Sequence, residues 1–278
     1  MMQIVDDLLY HDDGTPYPFY ETPNKGGELE PEYLIIHYTA GPNANHAIRW
    51  LTNPQAKASA HLVIGRDGSI TQLVPFNEVA WHAGKSQWRN IVGLNSHSIG
   101  IELDNAGPLQ RAGNDWISWF GQRYSSNEVI EAVHKNQKTS QGWHLYTAEQ
   151  MAAVLEVSLL LVEHYGLKDI LGHEDIAPGR KTDPGPAFPM ESFKSRILGR
   201  VPQQTVSHLY KTTANLNIRS GPGSEFAVLT GSPLPVETRL EYLQEKGNWI
   251  QVEVLDEVNG VMDLEGWVHS RYVKQISA

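Results

Sequence analysis

Fifteen residues, Gly172-His-Glu-Asp-Ile-Ala-Pro-Gly-Arg-Lys-Thr-Asp-Pro-Gly-Pro186, constrain this chain more than any other stretch. They place His173, Lys181 and Asp183 in one loop stiffened by Pro178, Pro184 and Pro186, whose rings fix the backbone φ angle. Far upstream, the apolar run Tyr33-Leu-Ile-Ile36 reads as a buried strand and delivers a second histidine, His37, at its end. Two neutral imidazoles and a carboxylate fill three corners of a tetrahedral zinc site and leave the fourth open for water. That is the ligand count of a catalytic zinc, whereas structural zinc sites are closed by four protein ligands, usually including cysteine. The chain has no cysteine, so a thiolate site is excluded. Taken singly, each piece has a plainer meaning. A histidine at a strand end is more often packed than liganding, and Asp-Pro-Gly is most often a turn.

Five motifs occur in order: Ile35-Ile-His-Tyr-Thr-Ala40, Ala58-Ser-Ala-His-Leu-Val-Ile64, Ala80-Trp-His-Ala-Gly84, Ser98-Ile-Gly-Ile-Glu-Leu103 and the loop from Gly172 to Gly185. Over about residues 30–195 the chain resembles the zinc-dependent N-acetylmuramoyl-L-alanine amidases of the type-2 amidase family, relatives of phage T7 lysozyme and peptidoglycan recognition proteins. The resemblance implies an α/β fold with a mixed central sheet flanked by helices. It assigns Zn2+ to His37, His173 and Asp183; aspartate at 183 follows the bacterial amidase branch, since the lysozyme and recognition-protein branch carries cysteine there. It also implies that Glu102 orients or deprotonates the metal's water. Glu102 alternates with Ile101 and Leu103 on a predicted strand, so its carboxylate points away from their apolar face. Lys181 lies two residues before Asp183, where an extended loop puts both side chains on one face and an ammonium near the substrate oxyanion. His61, Trp81, His82 and Arg180 are the expected substrate-binding residues. The plainer alternatives are a solvated glutamate at a strand edge and a solvated or ion-paired lysine.

A chain of 278 residues has room for two modest domains. Its formal charge of −10 argues against nucleic acid as partner, which needs a basic face. The first ten residues hold two acids and no continuous apolar core, so no secretory signal is visible. The most apolar stretch, 151–165, is interrupted by Glu156 and Glu163, so membrane insertion is not expected. The reading is of a protein cytoplasmic as synthesised, reaching a wall only through release or export by another factor, as an endolysin does. Oligomeric state is not encoded in anything legible.

Along the chain, residues 1–30 read as a polar, extended lead-in. A helix is predicted over Asn45–Leu51, and strands His61–Arg66 and Ser69–Leu73 flank the hairpin signal Asp67-Gly68. Residues 106–146 carry Trp116, Trp119 and Trp143 with little periodicity. They form an insertion, either a folded surface excursion or a wall of the substrate cleft. Thr147 is an N-cap candidate with Gln150 in capping-box register, and Met151, Val154, Leu155, Leu159 and Val162 follow at helical spacing up to Gly166. The pattern changes near Pro202. Leu216-Asn-Ile-Arg-Ser-Gly-Pro-Gly223, Gly247-Asn-Trp249 and Gly266-Trp267 closely resemble bacterial SH3-like domains, implying a small all-β barrel over 206–278 after a catalytic domain over 1–200. Asp256–Glu265 reads as an unusually long acidic loop in it.

Three functions remain on this reading. The first is hydrolysis of the N-acetylmuramic acid–L-alanine amide in peptidoglycan, the substrate partner. The second is the same cut in soluble anhydromuropeptides during recycling, against which the SH3-like domain argues. The third is a non-catalytic peptidoglycan-binding protein, against which the intact ligand set argues.

Overall fold

The structure, a computed structural model, describes residues 2–199, 209–261 and 264–276. Two compact units divide it, Met1–Val201 and Pro202–Ala278; the change of pattern near Pro202 falls outside the described residues.

The strands of the first unit's two five-stranded sheets are, in chain order, β1 Tyr33–Tyr38, β2 Leu62–Ile64, β3 Ile70–Gln72, β4 Ser98–Leu103, β5 Pro108–Ala112, β6 Asp115–Ile117, β7 Arg123–Tyr124, β8 Val129–Val133, β9 Ser140–His144 and β10 Asp169–Gly172. Its α-helices are α1 Ala44–Leu51, α2 Ala148–Tyr165, the single turn α3 His173–Ile176, and α4 Met190–Leu198. The central sheet has the order β10-β1-β4-β2-β3. Its first four strands are parallel and β3 returns antiparallel, so four carboxyl ends open on one edge. Alternation along the strands sorts their residues. Leu34, Ile36, Ile99 and Ile101 face a core shared with Val154, Val157 and Leu161 of α2 and with α4. Tyr33 and Ile35 face the other side, with Ala83, Leu94 and Leu171. His37 follows Ile35 by two and so shares its face, and the register Glu102↔His37 sets Glu102 beside it.

The fold departs from the sequence pattern at several places. Residues 2–11 are not an open lead-in but a β-hairpin, Met2–Val5 with Leu8–His11. Met2, Ile4 and Leu9 close the core beside α2, an alternation too short to stand out from a polar segment. Asp67-Gly68 does not make a two-residue turn: β2 and β3 pair at Ile64↔Ile70, and Asp67 accepts from the Ser69 amide and hydroxyl inside a longer loop. At α2, Thr147 caps the Gln150 amide. The Gln150 side chain, however, turns inward to the carbonyls of Ile64 and Asp104, so the capping box is half made. The buried face of α2 accordingly runs through Gln150, Val154, Val157, Leu161 and Val162, with Met151, Leu155 and Leu159 at its margin. Residues 108–144, nearly patternless in sequence, form an antiparallel sheet in the order β7-β6-β5-β9-β8. Among the described residues no helix is long and apolar enough to cross a membrane.

The second unit is a five-stranded antiparallel sheet of Leu209–Thr212, Arg239–Lys246, Trp249–Val254, Leu264–His269 and Val273–Gln275. Ile218, Leu234, Leu240, Val252 and Val268 fill its core. Leu216 and Arg219 enter it through isolated bridges rather than as a strand. In the acidic loop, Asp256 pairs with Arg239 and Val258 bridges to Val261.

Candidate metal centre

At the carboxyl edge of the central sheet, His37 lies one residue before the end of β1, His173 follows β10, and the loop returns Asp183. Nδ1 of His37, Nδ1 of His173 and Oδ2 of Asp183 are mutually 2.9 Å apart, and all three residues are buried. Ligands at ~2.0–2.1 Å from one tetrahedral zinc stand about 3.3 Å apart, close to this spacing.

The hydrogen bonds behind the rings decide what faces the centre. His173 donates from Nε2 to the Ala83 carbonyl at 3.1 Å, so its Nδ1 carries a lone pair. His82 donates from Nε2 to the Ser98 carbonyl at 3.2 Å, which leaves its Nδ1 to accept from Nε2 of His37 at 2.9 Å. Nδ1 of His37 is therefore bare as well. Burial, and next the neighbouring His173, push the His37 imidazole down to about 4, so it is neutral at ordinary pH. Two bare nitrogens and a carboxylate oxygen directed at one another repel unless a cation lies among them. The donor set fits a divalent metal.

Glu102 is half-buried, and its Oε2 is buried without a hydrogen-bond partner. Desolvation, then the charge of Asp183, push this carboxyl up to about 8, with the Lys181 ammonium opposing them. The same ammonium acts on His37, so Lys181 stands within electrostatic reach of the centre.

Of the expected substrate-binding residues, two belong elsewhere. His82 lies behind His37 with both nitrogens engaged, and its ring packs so closely on β4 that a Cβ at Gly100 would come within 2.4 Å of it. That contact explains the glycine inside the apolar run Ile99-Gly-Ile101. His61 is completely buried; it accepts from the Gly100 amide and bonds the Glu78 carbonyl, which leaves no polar atom for a ligand. Arg180 is exposed and gives Nη2 to the carbonyls of Ala83 and Lys85, lashing the Ala80–Gly84 segment to the ligand loop. Trp81 alone of the four has a substantially open side chain with no such engagement.

The family model for N-acetylmuramoyl-L-alanine amidase matches residues 27–186. The chain belongs to this amidase family. A model for the bacterial SH3 domain matches residues 214–274. Over 198 residues the chain is 32% identical to the 1,6-anhydro-N-acetylmuramyl-L-alanine amidase AmpD of Escherichia coli (strain K12), covering 64% of this chain and 88% of that protein. Over 186 residues it is 31% identical to the N-acetylmuramoyl-L-alanine amidase AmiD of the same strain, covering 64% of this chain and 57% of that one. A solved complex of AmiD from E. coli with anhydro-N-acetylmuramic acid-L-Ala-D-gamma-Glu-L-Lys is 28% identical, covers 70% of this chain and 65% of its own, and superposes with a TM-score of 0.46.

Within this amidase unit, no local sequence signal announces how the loop is held. Glu174, next to His173, is buried and takes hydrogen bonds at one oxygen from Nε2 of His134 (2.5 Å) and from the Gly185 amide (3.2 Å). One carboxylate thus staples both ends of the ligand loop to the residue after β8. Nδ1 of His134 accepts from the Asn136 amide, fixing the donor at Nε2. Lys135 adds an ammonium 3.0 Å from the second Glu174 oxygen. Trp143 lies against Gly185, where φ is +73° and a Cβ would come within 2.8 Å of the indole. A lone histidine in a segment without periodicity offered no signal for this brace.

Proposed function

We propose that this chain is a zinc hydrolase that cuts the amide between N-acetylmuramic acid and the L-alanine of the stem peptide in peptidoglycan or muropeptides. The observation that carries the reading is the convergence of three bare donors beside an unpartnered, buried carboxyl. His37, His173 and Asp183 would hold the ion. When bound, zinc supplies a water activated near neutral pH and polarises a carbonyl.

The remaining work falls to the chain's own groups. As water adds to the scissile carbonyl carbon, its proton passes to Oε2 of Glu102. The same proton moves on to the alanine nitrogen as the C–N bond breaks, leaving a carboxyl group on the lactyl side and a free amine on the peptide. A carboxyl held near neutrality by desolvation suits both directions of transfer. Lys181 sets positive charge toward the oxyanion, a contribution of roughly 3 kcal/mol where single donors have been removed elsewhere. His82 keeps His37 in the liganding tautomer.

Two settings use this chemistry. Similarity to a protein named for 1,6-anhydro-N-acetylmuramyl-L-alanine supports recycling of soluble fragments; the SH3 match supports a polymeric wall, with a lytic role of endolysin type. We favour the wall, because a soluble fragment needs no second binding unit. Mass spectrometry of sacculi and anhydromuropeptide digested in parallel tests both. Release of stem peptides from sacculi is expected, whereas cleavage of the soluble fragment alone would reassign the enzyme to recycling, and cleavage of neither would end the hydrolase reading. Zinc near one equivalent by elemental analysis is expected; activity that survives strong chelation would remove the metal from the scheme.

A further inference from the structure

The insertion carries three tryptophans with different fates. Trp116 and Trp143 are 5% and 1% exposed and serve as core. Trp119 is 77% exposed, yet it is not loose. Its indole N–H donates to the Ala40 carbonyl at 2.8 Å, and Phe120 meets it edge-on, with centroids 5.6 Å apart and planes at 89°. Ala40 lies three residues beyond His37 in the segment leaving β1, and holds a φ of +48°, which a non-glycine residue rarely adopts. A left-handed alanine and a T-shaped phenylalanine thus fix the ring from two sides while its face stays in water.

The insertion leaves the central sheet after β4, at the same carboxyl edge that carries the metal donors, where open parallel sheets take their ligands. With its only polar atom spent and no charge of its own, Trp119 has an apolar face to offer. A stem peptide brings free carboxylates, which that face would desolvate without return. A pyranose brings a C–H face, which an indole accepts.

We propose that Trp119 is a substrate-positioning residue on which a saccharide ring of the muropeptide stacks, making the insertion a wall of the cleft. The assignment rests on the amidase reading above. It names a specificity determinant in a segment that none of the five amidase motifs includes.

The test uses full-length, zinc-loaded protein. Trp119→Ala and the milder Trp119→Phe are compared with wild type on an anhydromuropeptide and on the matching N-lactoyl peptide, which keeps the scissile amide and lacks the sugar. Loss of the stacking surface predicts that Trp119→Ala raises KM for the sugar-bearing substrate about three- to tenfold relative to the lactoyl peptide, with Trp119→Phe between. Separately, titration with the disaccharide of N-acetylglucosamine and N-acetylmuramic acid should quench wild-type fluorescence more than that of Trp119→Phe. Equal KM changes on both substrates, or equal quenching in both proteins, would overturn the platform. Wild type that cleaves neither substrate would sink the amidase reading, and the quenching comparison would still decide the platform.

Discussion

The two units of this chain bury different things. The first encloses six of the chain's twelve histidines, together with Asp104, Glu174 and Asp183. The second, among its described residues, encloses only two polar side chains, Thr212 and Thr238, both of which donate to the Pro235 carbonyl. Burying an ionisable group costs several kcal/mol unless it is paired or kept neutral. The second unit avoids that cost, as a folding and binding module can. The first accepts it in several places, and at the carboxyl edge of the central sheet it gathers His37, His173 and Asp183 beside Glu102. Concentration of shifted groups, more than their number, marks the working surface.

That contrast can be broken in four ways, taken here from the largest expected effect. Glu102→Gln keeps shape and removes the proton site, so turnover should fall by about 10²–10⁴, or ~3–5.5 kcal/mol in the barrier, with zinc content and melting temperature near wild type. Thr212→Val in the other unit should leave turnover untouched. A Glu102→Gln enzyme of wild-type speed would make the buried carboxyl a matter of packing. Stripping the metal comes next: the loss of a tight ligand is worth about 4 kcal/mol and should lower the melting of the amidase unit by about 10 °C. Calorimetry should show the second transition unmoved; a shift of both would mean that the units do not melt separately.

Acid should also separate them. Desolvation holds His61 down to about 4, and desolvation with the nearby charge of Arg66 does the same to His144. Above pH 6.5 both are neutral whether the chain is folded or not. As pH falls, the unfolded chain takes up these protons first, so stability drains between about pH 6.5 and 4, by up to about 3 kcal/mol per histidine. Urea midpoints across that window should fall for the first unit and stay nearly level for the second. The smallest effect concerns the second unit's contribution. Truncation after residue 199 should leave cleavage of short muropeptides within about twofold, while the pull-down of sacculi weakens through lost effective concentration. Equal loss on both substrates would assign residues 209–276 a part in the cleft.

How much of this was legible follows from where information is local. Strand β1 with its histidine, β4 with its glutamate and the proline-rich loop each carry their chemistry within a few residues, and short-range pattern exposes it. The brace does not. His134 and Glu174 stand 40 residues apart and meet only once the insertion has folded, so neither position announces the other. His61 and His82 stand in conspicuous motifs that suggest the cleft, yet both rings are buried with both nitrogens engaged; a motif preserves a packing need as readily as a binding one. The one hint was Gly100. A glycine inside a buried strand signals that something approaches closely, and here it is the His82 ring.

The Ser98 carbonyl that ends the chain of rings is a backbone atom, and this changes what can disturb the centre. A carbonyl can only accept, so it gives the relay through His82 to His37 a direction, and the Ser98 hydroxyl, which also lies 3.3 Å from Nε2 of His82, spends its own proton on the Leu94 carbonyl and leaves that direction unopposed. A slip of β4 by one residue would be another matter: the backbone would still present a carbonyl there, but Glu102 would leave the face it shares with His37 and an apolar neighbour would take its place.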